Sequence, residues 1–299
     1  MELKKILVPV DFSENSTRAV EWALLLAEYF EADITMIHVI LFYQEDVGES
    51  ERMETFEKLV REKEKRIQQQ LNQQSREVSQ RDINIQSVVL RGISPADTLM
   101  EFIAEMNFDL VVMGTHGRTG IRHFVQGSVA EKIVRNAPIP VLTVHRSVEK
   151  NAIHRILVPI DFSTYSTRSL EWASAIAEKY QAKLVILHVI EREVYPSFYT
   201  PEVEPSTSAD QNLDELARNH LKAFVRELVD ESMIDQYVVK EGPAHKEIVD
   251  YVKDNDMDLL VIATHGLTGL EYLLLGSTAE KVIRWATCPV LTVKRSDAR

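Results

Sequence analysis

Two glycine-containing segments of the chain have the residue types and spacing that bind phosphate groups. The first is GTHGRTGIRHFVQGS, residues 114 to 128, and the second is ATHGLTGLEYLLLGS, residues 263 to 277, which begins with Ala263 instead of glycine. Glycine lets backbone amides approach a ligand closely because it has no Cβ. Each segment ends in Gly-Ser at the start of a predicted helix, whose unpaired first-turn amides attract an anion. The array G-x2-G-x9-G-S therefore favours phosphate binding over a simple turn.

The same serines also fit a role that needs no ligand. Ser128 with Glu131, and Ser277 with Glu280, match the capping box, in which a serine and a glutamate close the first helical turn. The sequence predicts this capping whether or not a phosphate binds.

Acidic and histidine residues near the predicted strand ends are open to more than one interpretation. Asp11 could face a ligand, form a turn or cap a helix, and its neighbour Ser13 could cap as well. His38 and His188 end predicted strands and are explained most simply as hydrogen-bonded residues at the edge of the core. No spacing of cysteine, histidine or carboxylate residues suggests a metal cage.

The two glycine segments differ in charge. Arg118 and Arg122 of the first segment stand where the second has Leu267 and Glu271. Cationic side chains donate charge-assisted hydrogen bonds to phosphate. We therefore expect the first segment to bind an anion and the second to bind it more weakly or not at all.

The chain is one unit written twice. Residues 6 to 40 align without a gap over residues 156 to 190, with identity at roughly half of the positions. Each copy closes with the residues PVLTV, and a polar stretch follows the first of them. We expect two domains, 1–147 and 152–296.

Short apolar runs alternate with stretches of helical spacing in each copy. In the first copy the pattern predicts strands at 6–10, 34–40, 85–91, 109–113 and 140–144, and helices at 16–30, 95–106 and 128–136. Such alternation is typical of an α/β fold, a parallel sheet with helices on both faces. Ligands of open α/β sheets bind beyond the carboxyl ends of the strands, where the strand order reverses. The residues after the first and fourth strands would line that crevice.

The segments after the second strand differ most between the copies. Residues 49–80 read as a long charged helix, whereas 191–209 read as a proline-rich loop before a helix at about 210–230. A surface insertion is the simpler interpretation of both, and a lid or partner surface the other.

Composition narrows the class of protein. Cys288 is the only cysteine, so a disulfide within one chain is excluded, and we expect a cytoplasmic protein. The formal charge of −12 repels nucleic acid. No apolar run is long enough to cross a bilayer, so no membrane partner is expected.

The chain resembles a tandem universal stress protein. The resemblance is carried by ILVPVDFS, by the strand end HVI and above all by GTHGRTGIRHFVQGS, which is similar to that family's ATP-binding pattern. It covers nearly the whole chain in two copies. It implies two Rossmann-like domains of the adenine nucleotide alpha hydrolase type, each with five parallel strands in the order 3-2-1-4-5.

The resemblance also implies which residues contact the nucleotide. In the first copy it places Pro9 and Asp11 beside the adenosine, Val39 and Ile40 at the adenine, and Gly114, Gly117 and Arg118 around the phosphates. It places Gly127, Ser128 and Val129 at the start of the following helix, and Val10 and Met113 among the other nucleotide-binding residues. In the second copy it offers Pro159, Asp161, Val189, Gly266, Gly276, Ser277 and Thr278.

The implied ligand is ATP, or the related AMP or ADP, with Mg²⁺ as an accompanying ion. The family commonly pairs through its last strand, which implies pairing of the two domains through 140–144 and 289–293, and a homodimer. The leading hypothesis is a nucleotide-binding stress regulator. The alternatives are a slow Mg-dependent ATPase using Asp11, weakened by the lack of a P-loop lysine motif, and a scaffold that needs no nucleotide.

Overall fold

The chain forms two compact units. The computed structural model describes residues 2–41, 50–78, 83–115, 128–145, 153–191, 207–264 and 275–294. The first unit comprises Glu2–Asn151 and the second Ala152–Arg299. The domain limits expected from the sequence, 1–147 and 152–296, stay a prediction.

The first unit alternates strands with helices. Its elements are β1 (Lys5–Pro9), α1 (Glu14–Phe30), β2 (Asp33–Leu41), α2 (Ser50–Val78), β3 (Ile85–Gly92), α3 (Pro95–Glu105), β4 (Leu110–Gly114), α4 (Ser128–Asn136) and β5 (Val141–Val144). The predicted five strands are present.

The second unit repeats this order. Its elements are β6 (Arg155–Pro159), α5 (Thr164–Tyr180), β7 (Lys183–Ile190), α6 (Thr207–Arg226), β8 (Ile234–Glu241), α7 (Ala244–Asp254), β9 (Leu259–Ala263), α8 (Ser277–Trp285) and β10 (Val290–Val293). A short 3₁₀ turn, Glu231–Met233, precedes β8.

Each unit has its strands in the order 3-2-1-4-5. In the first unit the sequence of neighbours is β3-β2-β1-β4-β5, and in the second it is β8-β7-β6-β9-β10. The neighbouring strands within each unit pair in parallel. The strand order therefore reverses beside β1 in one unit and beside β6 in the other. The α/β fold class and the strand order predicted from the sequence are confirmed.

The central strands are buried on both faces. In β1 the three residues Ile6, Leu7 and Val8 are all buried, and in β4 so are four consecutive residues. Side chains of a strand alternate between its two faces, so an unbroken buried run requires cover on both. Helix α1 contacts β1, β2, β4 and β5, and helix α2 contacts β2 and β3. Helices α3 and α4 contact each other.

Helix starts differ in detail from the predictions. The helix predicted at 16–30 begins at Glu14, because Ser13 is its N-cap and accepts a hydrogen bond from the Ser16 amide at 3.2 Å. The described part of the predicted 49–80 helix is Ser50–Val78, and the helix predicted at about 210–230 is Thr207–Arg226. The proline-rich stretch 192–206 lies outside the described residues. Within the part of the chain that is described, no helix combines the length and apolar composition needed to cross a membrane.

Candidate functional site

A cavity of about 320 Å³ lies at the carboxyl ends of the central strands of the second unit. Pro159 ends β6, Val189 is the penultimate residue of β7 and Ala263 ends β9, and all three line it. The cavity is therefore at the point where the strand order reverses, the position at which open α/β sheets bind ligands. Its size is at the low end of the range for small-molecule sites, about 300–1,000 Å³.

The cavity brings together residues that the sequence singled out. Six of the seven second-copy residues line it: Pro159, Asp161, Val189, Gly276, Ser277 and Thr278. The seventh, Gly266, lies outside the described residues. Three separate stretches of the chain, at the ends of β6 and β7 and at the start of α8, thus converge on one space.

Asp161 is held in place by its own loop. Its Oδ1 accepts hydrogen bonds from the Ser163 amide at 3.0 Å, the Ser163 hydroxyl at 2.6 Å and the Ser166 hydroxyl at 2.6 Å. The Ser163 hydroxyl in turn accepts from the Ser166 amide at 3.3 Å, which makes Ser163 the N-cap of α5. An oxygen that accepts three hydrogen bonds is fixed in direction.

The turn after Asp161 has a strained backbone. Phe162 has a φ of 63°, in the left-handed region that costs a non-glycine residue about 1 kcal/mol or more. The ring of Phe162 is 4.5 Å from that of His188, and His188 Nδ1 donates a hydrogen bond to the Ile160 carbonyl at 2.8 Å. These contacts hold the strained turn and so fix the direction of Asp161. The prediction that His188 is a hydrogen-bonded residue at the core edge is confirmed.

The N-terminus of α8 forms another wall of the cavity. The N-cap is Gly276, and no side chain caps this helix end. The Gly276 amide donates to the Thr264 carbonyl at 2.7 Å, which ties the helix start to the end of β9. The next amides belong to the first turn, where the helix provides no acceptors. The predicted capping box of Ser277 and Glu280 is wrong, because Ser277 is the first helical residue and lies one position past the N-cap.

The N-terminus of α7 also lines the cavity, but a carboxylate occupies it. Glu191, directly after β7, accepts a hydrogen bond from the Ala244 amide at 2.6 Å, and both residues are in the lining. The N-cap position of α7 is Pro243, which has no side-chain hydrogen bond. In the first unit Ser94 caps the corresponding helix α3 through the Asp97 amide. Glu191 thus replaces a local cap that the second unit lacks.

The described part of the first unit repeats this arrangement. Asp11 Oδ1 accepts from the Ser13 amide at 3.0 Å, Phe12 has a φ of 62°, and His38 Nδ1 donates to the Val10 carbonyl at 2.6 Å. Of the interpretations left open, Asp11 forms the turn and Ser13 caps the helix. Pro9, Val39, Ile40 and Met113 lie at the carboxyl ends of β1, β2 and β4, and Ser128 and Val129 begin α4. The described residues do not include Gly117, Arg118 or Gly127. Because Gly127 directly precedes α4, the capping of α4 also lies outside the described residues.

Gly114 has a packing role. A Cβ at this position would lie 2.8 Å from both the carbonyl carbon and the oxygen of Asn15, at the start of α1. Gly114 is not among the described residues with a positive φ. Its missing side chain therefore lets α1 approach β4. In the second unit Ala263 stands at this position and lines the cavity.

Several residues of this region were not found from the sequence. Glu191, Ala244, Thr264 and Ser166 belong to no motif recognised in the sequence. Glu191 accepts a hydrogen bond from the Ala244 amide, Thr264 accepts one from the Gly276 amide, and Ser166 donates one to Asp161. A sequence signal for the strained turn was present in both copies. A phenylalanine follows Asp11 and Asp161, and a histidine lies near the end of the second strand of each copy.

A partly buried lysine follows the last strand of the second unit. Burial lowers the pKa of Lys294 from 10.5 to about 8, because the charged form loses hydration. Among the residues that the structure describes, no cluster of three or more histidine, cysteine, aspartate or glutamate side chains could hold a metal ion.

The fold defines a tandem Rossmann-like α/β protein, and the cavity of its second unit lies where the strand order reverses. A model of the Universal stress protein family matches residues 2–145 and again residues 152–294. The chain belongs to the universal stress protein family, in a form with two copies of the domain.

The chain is similar to relatives with two copies of the domain and to relatives with one. The universal stress protein E homolog of Haemophilus influenzae is 26% identical over 321 residues, covering 99% of this chain and 99% of that protein. A crystal structure of a universal stress protein from Archaeoglobus fulgidus has a TM-score of 0.65 and 22% identity, covering 99% of this chain and 98% of that one. A universal stress protein solved in complex with cAMP is 25% identical, covers 48% of this chain and 97% of its own, and has a TM-score of 0.31.

Proposed function

We propose that this universal stress protein is a stress-response regulator that binds adenine nucleotides, with ATP held in the first unit. The observation that carries the proposal is the convergence of six second-copy residues on one cavity. These residues were selected by their resemblance to the family's ATP-binding pattern. They belong to three stretches of the chain, so their meeting supports a common ligand.

The described residues fit an adenine nucleotide. The uncapped first turn of α8 offers amide donors and a positive dipole end to a phosphate. Asp161, oriented by its three hydrogen bonds, presents a carboxylate to the hydroxyl or amino groups of a nucleoside. Val189 adds an apolar surface for a base.

The repeat extends this fit to the first unit. The turn at Asp11, the backbone of Phe12 and the histidine hydrogen bond are the same in both units within 0.2 Å and 1°. The first copy adds Arg118 and Arg122 in its glycine segment, where the second has Leu267 and Glu271. Cations favour a triphosphate, and this difference is why the proposal places ATP in the first unit.

Bound nucleotide in the purified chain tests the proposal. The protein is denatured, and the released nucleotide is identified and counted by chromatography. We expect about one ATP per chain, because one intact glycine loop holds one triphosphate. Gly117→Val should remove it with the fold intact, and the matched change Gly266→Val in the second copy should leave the ATP count unchanged. Absence of nucleotide together with absence of ATP affinity would leave the scaffold hypothesis.

The same preparation tests the enzyme alternative. ATP turnover that persists through rigorous purification and is lost in Asp11→Ala would favour a slow ATPase. The dependence of that turnover on added Mg²⁺ would then show whether the reaction requires the metal ion. Homodimer formation, pairing through the last strands and a cytoplasmic location stay predictions, and light scattering on the pure chain checks the first of them.

A further inference from the structure

We propose that two copies of this chain associate through the outer sides of helices α1 and α2 of the first unit. These sides carry an acidic row on α1 and a basic row on α2, so the surface is complementary to a second copy of itself. Association of this kind needs no nucleotide. It uses neither of the last strands, through which the family resemblance implies pairing.

Helices α1 and α2 lie on the same face of the sheet. The strand order β3-β2-β1 means that the chain moves in one direction across the sheet from β1 to β2 and from β2 to β3. Crossovers between parallel strands are right-handed, so the helices of both crossovers lie on one face. Both helices also contact β2. Their outer sides are therefore neighbours on one surface of the first unit.

The outer side of α1 carries the acidic row. Glu14, Glu21 and Glu28 follow one another at intervals of seven residues, which is nearly two complete turns of an α-helix. The row therefore runs along the helix with about 10.5 Å between neighbours. The buried Ala23 marks the opposite side of the helix. Arg18 forms an ion pair with Glu14, and the row keeps an excess of negative charge.

The outer side of α2 carries the basic row. Lys58 and Lys65 are seven residues apart, and Arg76 follows Lys58 by eighteen residues, which is five complete helical turns. All three residues are exposed, and within the part of the chain that the structure describes none of them forms an ion pair. The buried Ile67 marks the side of the helix that faces the sheet. Glu62 lies between the two lysines, so the row keeps an excess of positive charge.

A two-fold axis parallel to the helices matches the two rows. Rotation about such an axis places α1 of one copy over α2 of the other, and the same contact is made twice. Each acidic row then faces a basic row in which the lysines have the same seven-residue spacing. An axis across the helices would place rows of like charge over each other, which is unfavourable. The charges therefore favour one orientation of a second copy, whereas a different partner would need both rows at this spacing.

Exposed apolar side chains accompany both rows. Leu59 is 60% exposed next to Lys58, and Tyr29 is 38% exposed next to Glu28. Two helices that are each about 10 Å wide and about 30 Å long offer about 600 Å² per copy. This area is at the low end for a specific interface, so we expect a weak dimer with a micromolar dissociation constant. Because its contacts are largely between exposed charges, salt should weaken it.

Sedimentation equilibrium of the full chain tests this surface. We expect the dissociation constant of the dimer to rise at least about tenfold between about 50 and about 500 mM salt, because salt screens exposed charges. The acidic row is reversed by Glu21→Lys with Glu28→Lys, and the basic row by Lys58→Glu with Lys65→Glu. Each variant alone should dimerise at least about tenfold more weakly than the wild type, because like rows then face each other.

An equimolar mixture of the two variants is the sharpest measurement. One variant carries two basic rows and the other carries two acidic rows, so every row in a mixed dimer meets its opposite. The mixture should therefore form a dimer at least as tight as that of the wild type. Urea unfolding establishes that each variant is folded, and Glu28→Lys alone reverses part of the acidic row if the double change prevents folding.

A matched variant of the second unit controls for net charge. Glu171→Lys with Glu178→Lys makes the same charge change at the equivalent positions of α5. This control should dimerise within about threefold of the wild type, because distant exposed charges are screened.

Four results would overturn the inference. The first is a wild-type chain that stays monomeric at low salt up to about 0.2 mM chain. The second is dimerisation of both row variants as tight as that of the wild type. The third is a mixture of the folded variants that does not associate. The fourth is a loss of dimer in the second-unit control equal to that in the acidic-row variant, which would place the contact elsewhere.

Discussion

Replacing Gly114 by alanine tests whether this glycine serves packing within the first unit. The added Cβ would lie 2.8 Å from the carbonyl carbon and oxygen of Asn15 and 2.9 Å from its Cβ. Real Cβ atoms essentially never lie closer than 3.0 Å to such an atom, and ordinary contact begins at 3.4 Å. The start of α1 must therefore move away from β4, by 0.6 Å if ordinary contact is to be reached, the difference between 3.4 and 2.8 Å. Backbone atoms cannot rotate aside as a flexible side chain does.

The energetic effect follows from this displacement. Overpacking of this kind costs about 1–3 kcal/mol, and the lower chain entropy of unfolded alanine offsets about 0.5 kcal/mol of it. We expect Gly114→Ala to lower the free energy of unfolding of the first unit by about 1–2 kcal/mol. The reciprocal change, Ala263→Gly, should also destabilise its own unit, by about 0.5–1 kcal/mol, because glycine has more freedom to lose.

Tryptophan fluorescence can follow each unit separately. Trp22 is buried in α1 of the first unit, and Trp172 is buried in α5 of the second. Phenylalanine at Trp172 and at the exposed Trp285 leaves Trp22 as the reporter of the first unit. Phenylalanine at Trp22 and Trp285 leaves Trp172 as the reporter of the second. Urea unfolding of each background, with and without the glycine change, gives the difference for one unit at a time.

Two results would refute the packing explanation. One is a Trp22 transition in Gly114→Ala that coincides with that of its parent within about 0.5 kcal/mol. The other is a stabilising effect of Ala263→Gly on the Trp172 transition, which would mean that the second unit also needs glycine there.

Two further predictions concern the second unit. Lys294→Met should raise the free energy of unfolding by about 1–3 kcal/mol at pH 7, where the folded state must hold a charged, partly buried amine whose pKa burial lowers to about 8. Between pH 8 and 10.5 the unfolded chain binds more protons, so the wild type gains stability as pH rises and the difference should shrink; a constant difference, or the same gain in the exposed-residue control Lys253→Met, would contradict this. Glu191→Ala should destabilise the second unit by about 1 kcal/mol in urea through loss of the α7 cap. Pro243→Ser, which restores the local cap that Ser94 provides in the first unit, should recover most of that loss, and failure of the rescue would argue against capping.

The strands could be predicted because of where parallel sheets lie in a protein. Burial on both faces leaves an unbroken apolar run, as in Ile6 to Val8, and that run is visible without a structure. Glycine and proline punctuation then separates the runs. The duplicated pattern made the order of elements in the second unit readable from the first.

The cap residues show where sequence reasoning ends. The spacing of Ser277 and Glu280 matches a capping box, but the helix begins one residue earlier than that pattern requires, with Gly276 as the cap. A shift of one position lies within the uncertainty of any boundary inferred from periodicity. Glu191 could not be found at all, because its partner Ala244 is 53 residues away and only the folded chain brings them together.

The packing role of Gly114 also could not be predicted from the sequence. A glycine in a phosphate-binding pattern suggests contact with the ligand, yet its nearest neighbour is the backbone of Asn15 on another element. The second copy tolerates Ala263 at the same place, and the sequence alone could not say that the difference lies in how the first helix meets the fourth strand.

The cap of α7 is Glu191, which directly follows strand β7, so the Ala244 amide reports on movements of that strand end. A locally capped helix such as α3 can fray by itself, whereas α7 loses its acceptor whenever the exit of β7 moves away from it. Exchange of that single amide proton with deuterium would therefore register openings of the strand exit, even when the rest of the helix stays closed.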